Sequence, residues 1–142
     1  MTRDELKRRT LAAFRTLPRR ERMHVRGRWK SCPVPAVDAE VPLAGRVLEV
    51  GCGHGLVSTY LALASPSRAV TGIDIDLRKI DLAQRAAAEL GETRPTFHHA
   101  ADGDVPVGPW DAIVIVDVLY LLPRHRERVL LDECVAGLAT GG

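Results

Sequence analysis

The sequence is poor in aromatic residues, with two Trp, two Tyr and two Phe among 142 residues. That scarcity leaves little for a platform that stacks the bases of a single strand. Cysteine is sparse too. Cys32, Cys52 and Cys134 are scattered, odd in number and without the paired spacing of a zinc site. No metal centre is expected, and the set fits a reducing compartment better than a disulfide framework. The charged start lacks the apolar core of a secretory signal. No apolar run approaches the roughly 18 residues of a membrane-spanning helix. These absences lead to an expected cytoplasmic location. Ser58 lacks the neighbours of a nucleophile elbow, and no internal repeat is present.

Charge is plentiful but uneven. Residues 1–30 hold eleven Lys/Arg against three Asp/Glu, a net +8. Residues 31–142 hold nine against fifteen, a net −6. The basic start reads as a solvated helical arm against an acidic body. Contact with nucleic acid or an anionic membrane face is the less favoured alternative. The length suits one modest domain with a real core.

Along the chain, Thr2–Leu17 reads as a first helix, capped by Thr2 and ended by Pro18. Residues 19–31 have weak periodicity and are expected to form a loop or short helix, followed by a short helix over 35–40. From Arg46 the pattern reads as four strands, each followed by a helix except the third, which a polar loop over 101–109 follows. Strands are expected over 46–50, 69–73, 96–99 and 111–118, the last buried on both faces. Helices are expected over 56–65, 77–90 and 124–138, with Asp76 capping the second and Gly91 closing it. In the last helix Val129, Leu130, Cys134, Val135 and Leu138 are expected to point inward. The fold class is therefore α/β: a Rossmann-like, mostly parallel sheet with helices on both faces. Only its first four strands are readable, and a basic helical N-terminal arm precedes them.

The chain is organised around Arg46–Gly55, R-V-L-E-V-G-C-G-H-G. A buried strand runs into Gly51, Gly53 and Gly55, and a helix follows. Strand, glycine turn and helix N-terminus together suit a nucleotide-like ligand. A tight turn with no ligand is the plainer reading. Asp74, 23 residues beyond Gly51, ends the second strand, where an acid can accept both hydroxyls of a ribose.

These residues resemble a known family. Val47–Gly55 is similar to the glycine motif of class I S-adenosylmethionine-dependent methyltransferases, and Gly72–Asp76 to their second-strand acidic motif. Asp111–Tyr120 resembles their fourth strand and exit loop, and Leu138–Gly142 the turn into their fifth strand. The resemblance covers about residues 43–142, a partial cofactor-binding domain, with 1–42 as a basic arm or lid.

The resemblance implies S-adenosylmethionine as cofactor and methyl transfer as the activity. By position, Gly51, Cys52, Gly53 and Gly55 would pass beneath the methionine part, with Glu49 supporting that end. Asp74 would hold the ribose and Ile75 would pack on adenine. Asp102 would accept from the adenine amino group, flanked by Gly103. Asp117 and Val118 would line the methyl side. Asp117, His54 and Tyr120 are the available acid–base or substrate-facing residues, needed only if the acceptor is protonated. Arg28–Pro33 would be a substrate-side lid. The acceptor is expected to be a small molecule, because no nucleic-acid motif appears.

The family fold continues with a fifth strand and a hairpin, so a chain stopping at Gly142 is expected to be a fragment, its fourth strand at an open edge. Two rivals remain. An NAD(P)-binding reductase shares the glycine turn and the acid, although here the glycines fall as G-x-G-x-G. A non-catalytic module could use the basic arm to bind nucleic acid or protein.

Overall fold

Apolar runs punctuated by glycine and proline fold into a four-stranded parallel sheet with the order β3–β2–β1–β4. The computed structural model describes residues 1–142. The strands are β1 (Gly45–Val50), β2 (Arg68–Asp74), β3 (Thr96–His99) and β4 (Ala112–Ile115). Val50 lies opposite both Ile73 and Ile115, so three carboxyl ends are level. The chain runs outward from β1 to β2 and β3, then returns to lay β4 on the other side of β1. That reversal opens a crevice at the carboxyl ends of β1 and β4.

Six helices flank the sheet: α1 (Arg3–Ala12), α2 (Arg19–Ser31), α3 (Val34–Glu40), α4 (Leu56–Ala64), α5 (Leu77–Ala88) and α6 (Arg124–Gly137). Strand side chains alternate between faces, so neighbours Val47 and Leu48 enter different cores. Val47, Val70 and Val114 pack against α1–α5 through Leu6, Phe14, Val25, Val34, Leu61 and Leu82. Leu48, Val50 and Ile73 pack against Leu130 and Cys134 of α6. Helix α4 is buried along Leu56–Leu63, with the sheet beneath it and the basic arm above. A helix that is apolar on every side must be covered on every side. Phe14, Leu17 and Val25 provide that cover, each burial worth about 1.5–3 kcal/mol. The arm is therefore part of the core. No helix is long and apolar enough to cross a membrane.

Both expected caps form. Thr2 Oγ1 accepts from Glu5 N at 3.2 Å and Asp76 Oδ1 from Lys79 N at 3.1 Å. Five expectations need correction. Helix α1 stops at Ala12, and turns carry the chain to Pro18. Residues 19–31, expected as a loop or short helix, form a full 13-residue helix starting directly after Pro18. Its inward residues, Glu21 and Val25, are too few and too polar to give an apolar period. The fourth strand spans only 112–115 and is not buried on both faces: it sits at the sheet edge, and Val114 alone is buried. In α6 only Leu130 and Cys134 are buried, while Val129 and Val135 are 48% and 70% exposed. Helix α5 ends at Ala88, and Gly91, at φ +62°, begins a single 3-10 turn.

Candidate functional site

The glycine turn begins where β1 ends. Gly51 N and Cys52 N both donate to Ile73 O, at 2.8 and 2.9 Å, which binds the turn to β2. Gly51 has φ +75°, and a β-carbon there would lie 2.2 Å from Val118 Cγ2. Only glycine allows the loop after β4 to approach so closely. Gly53 has φ +55° and open space where a β-carbon would stand. The floor of the crevice is therefore bare backbone with room above it. Gly55, in the left-handed region, is the N-cap of α4.

Asp74 organises the next wall. Its Oδ2 accepts from Gly53 N at 2.8 Å and its Oδ1 from Asp76 N at 2.9 Å. The carboxylate thus locks the glycine turn to the end of β2, and each oxygen keeps accepting capacity toward the crevice. Ile75 is 67% exposed at the mouth, an unusual place for a large aliphatic side chain. Asp102 and Gly103, in the loop after β3, form the rim beside it.

Glu49 is buried, on the strand residue before Val50. Its Oε2 accepts from Ser58 N at 2.9 Å and from the Ser58 hydroxyl. The side chain therefore caps the first turn of α4 from the neighbouring strand. Oε1 has no partner within the chain and stands at the crevice wall. Burial pushes the carboxyl up to about 7, against the opposing pull of the Ser58 hydrogen bonds. Burial also raises the neighbouring Cys52 thiol, so this cysteine stays protonated and inert.

On the far side, β4 ends because Asp117 takes a left-handed φ of +57°. A non-glycine residue there is strained by about 1–2 kcal/mol. Its Oδ2 accepts from Arg28 Nη1 of α2 at 2.6 Å. Arg28 lines the crevice, and sequence reasoning gave it no role beyond a general lid. It was unreadable because residues 19–31 carried no helical period. Val118 packs on Gly51, and Tyr120, 75% exposed in a 3-10 turn over Leu119–Leu121, reaches the opening.

His54 is turned toward the arm. Its Nε2 meets Glu21 Oε2 at 2.7 Å, and His24 lies against its ring at 5.0 Å between centroids. Glu21 Oε1 also receives Arg78 at 2.6 Å. The Arg78 hydrogen bond, above all, holds the Glu21 carboxyl below its usual range, and burial depresses the His54 imidazole. At neutral pH the pair is a carboxylate accepting from a neutral ring. His54 thus joins the glycine turn to α2, and its Nε2 is already committed.

These residues surround one crevice of about 700 Å³. All the expected site residues except Gly55 line it. Seven carboxylate residues stand against three Lys/Arg: Glu49, Asp74, Asp76, Asp102, Asp104, Asp117 and Glu133 against Arg28, Lys79 and Arg126. The field within favours a cation.

A family description, "Methyltransferase domain", matches residues 47–142. The release factor glutamine methyltransferase of Neisseria gonorrhoeae is 37% identical over 101 residues, covering 69% of this chain and 34% of its own. A ubiquinone biosynthesis O-methyltransferase of Aromatoleum aromaticum is 32% identical over 110 residues, covering 75% of this chain and 45% of its own. The crystal structure of magnesium protoporphyrin IX methyltransferase from Synechocystis, with bound SAM, superposes with a TM-score of 0.64 at 25% identity. That match covers 82% of this chain and 56% of that one. The chain thus spans less than half the length of the two relatives matched by sequence. With its glycine turn, its second-strand acid and a family match running from β1 through α6, this chain belongs to the methyltransferase domain family.

Proposed function

We propose that the crevice holds S-adenosylmethionine and serves methyl transfer to a small-molecule acceptor. The observation that carries this reading is the charge of the site. Glu49, buried and hydrogen-bonded to Ser58 through Oε2 alone, is one of seven carboxylate residues lining the crevice, which suits a ligand bearing a sulfonium and an ammonium. The same field opposes the pyrophosphate of a nicotinamide dinucleotide. The bare floor at Gly53 leaves space for the ligand where any side chain would intrude.

When bound, the cofactor supplies a methyl group already activated by its positive sulfur. The chain's task is then to bind, orient and exclude water. Asp74 would hold the ribose hydroxyls, and exposed Ile75 would cover one adenine face. Asp102 and Gly103 would edge the adenine. Glu49 would face the ammonium, Arg28 the carboxylate, and the Gly51–Gly55 turn would underlie both. Asp117 and Val118 would border the methyl side, with Tyr120 toward the acceptor. Asp117 is also the nearest available base for an acceptor that must lose a proton. Residues 1–42 form the arm and lid of this reading, and 43–142 the cofactor-binding part. Three unpaired cysteines support a reducing, cytoplasmic setting.

Calorimetry tests the reading by titrating the chain with S-adenosylmethionine, its demethylated product and NADH. Saturable binding of the first two without NADH is expected, and binding of NADH alone would overturn it. Arg28→Ala should weaken binding of the demethylated product about 10–100-fold, the worth of a charge-assisted hydrogen bond of about 1.5–3 kcal/mol. Its half-exposed ion pair with Asp117 is worth less than about 1 kcal/mol of stability, so the thermal midpoint should hardly move.

A further inference from the structure

We propose that the groove between α1 and α2 is a docking surface for the phosphate backbone of a nucleic acid, separate from the crevice and independent of the methyl-transfer reading. The groove has a volume of about 640 Å³. Arg8, Arg15, Arg19, Arg22 and Arg26 line it, and no Asp or Glu does. Because residues 19–31 are helical, Arg19, Arg22 and Arg26 fall at i, i+3 and i+7 on one face of α2. They step about 4.5 and 6 Å along the axis at roughly 1.5 Å per residue. That is one to two nucleotides at about 3.4 Å of duplex axis per charge on a strand.

Arg22 Nη1 donates to the carbonyls of Arg15 and Leu17, at 3.2 and 3.3 Å, which fixes this guanidinium at the groove. Arg15 bridges to Glu89 at 3.0 Å while its side chain stays 72% exposed. Arg8, Arg19 and Arg26 join no ion pair within the chain. Four guanidinium groups without an acidic partner, beside an Arg15 already shared with Glu89, repel one another until an anion is shared among them. All five are arginine, the side chain whose fork matches phosphate oxygens in pairs.

The partner is a nucleic acid more than a membrane because the arm exposes only two scattered large apolar side chains, Met1 and Met23, to insert. Leu6, Phe14, Leu17 and Val25 face the core, and Met23 is the one exposed large apolar side chain at the groove. The scarcity of aromatics does not weigh against a duplex, whose backbone is gripped without stacking.

The test is fluorescence anisotropy of the full chain with labelled duplex RNA and duplex DNA of arbitrary sequence, across a salt series. Arg19→Glu with Arg26→Glu should lower affinity at least about tenfold and flatten the salt slope by about 2, one for each lost phosphate contact. Arg124→Glu with Arg128→Glu, on exposed α6, makes the same change in net charge and should leave the slope nearly intact. Glutamate is favoured at position 19 in the first turn of α2 and is a good helix former at exposed position 26, so the fold should persist. If melting shows otherwise, the pair Arg19→Gln and Arg26→Gln carries the same expectation. Equal losses in the groove and α6 variants would overturn the proposal, as would absence of duplex binding. Binding to phosphatidylserine vesicles in preference to either duplex would overturn it in favour of a membrane surface.

Discussion

Replacing Asp74 with Asn should weaken binding of S-adenosylmethionine at least about a hundredfold while the chain still folds. Two hydrogen bonds from ribose hydroxyls to a carboxylate are worth about 1.5–3 kcal/mol each, and each 1.4 kcal/mol is a factor of ten. Asp74 already accepts Gly53 N and Asp76 N, one on each oxygen. An amide keeps one accepting oxygen and turns a donor toward the other partner, so it cannot serve the turn and the ligand together. Asp76→Ala is the comparison. It removes the α5 cap, at a cost of about 1 kcal/mol of stability, and one of the seven crevice carboxylates but no ribose partner, so cofactor affinity should fall far less than in Asp74→Asn. Isothermal titration beside thermal melts separates the two effects. Equal affinity losses in both variants would show that Asp74 acts only through the integrity of the turn.

The second large effect lies at Glu49 and depends on pH. Burial holds its carboxyl at about 7 in the folded chain against an ordinary value of 4.5. A carboxyl raised on folding contributes stability below its unfolded value, and that contribution is lost as pH rises through its folded value. The difference corresponds to about 3 kcal/mol, lost between about pH 4.5 and just above pH 7. Glu49→Gln keeps an acceptor for Ser58 and has nothing to ionise. The variant should therefore gain on the parent by up to about 3 kcal/mol as pH rises across that range. Denaturant unfolding at a series of pH values reads the difference directly. Glu21 and His54 run the opposite way, because both are depressed on folding. Their stability is present above their unfolded values and is lost as pH falls. They are unchanged in the variant, so the difference curve isolates Glu49.

A cationic ligand beside Glu49 favours its ionised form. Cofactor affinity should then rise through pH 7 with release of a proton, and Glu49→Gln should abolish that dependence. Titrations in two buffers of different ionisation enthalpy count the proton.

The parts of this fold that were legible are those written in neighbouring residues. Val47–Val50 followed by alternating glycines can hardly be anything but a buried strand ending in a turn. Asp76 and Thr2 announce their helices because a cap acts over three residues. The α2 helix was hidden for the converse reason. Its only buried residues are Val25 and Glu21, and what fixes Glu21 is His54 and Arg78, 33 and 57 residues away. With α2 unread, the reach of Arg28 to Asp117, 89 residues on, was out of sight as well.

The site was legible as a set of positions but not as an arrangement. That Asp74 and Asp117 follow strand ends comes from the alternation of elements. That Glu49 would cap α4 through Ser58, or that His54 would turn to the arm, comes from packing between elements. The apolar stretch around β4 misled because every residue from Ile113 to Val116 suits a strand, while the pairing that decides burial comes from β1 alone. The left-handed turn at Asp117 then ends it.

The account stands on an adenosyl ligand lying across the glycine turn between β1, β2 and β4. A crystal structure of the chain grown with S-adenosylhomocysteine tests it most directly. The account predicts the ribose hydroxyls within hydrogen-bonding distance of the Asp74 carboxylate and the amino-acid end between Glu49 and Arg28. The same ligand bound elsewhere, or Asp74 still engaged only with Gly53 and Asp76 in a saturated crystal, would contradict it.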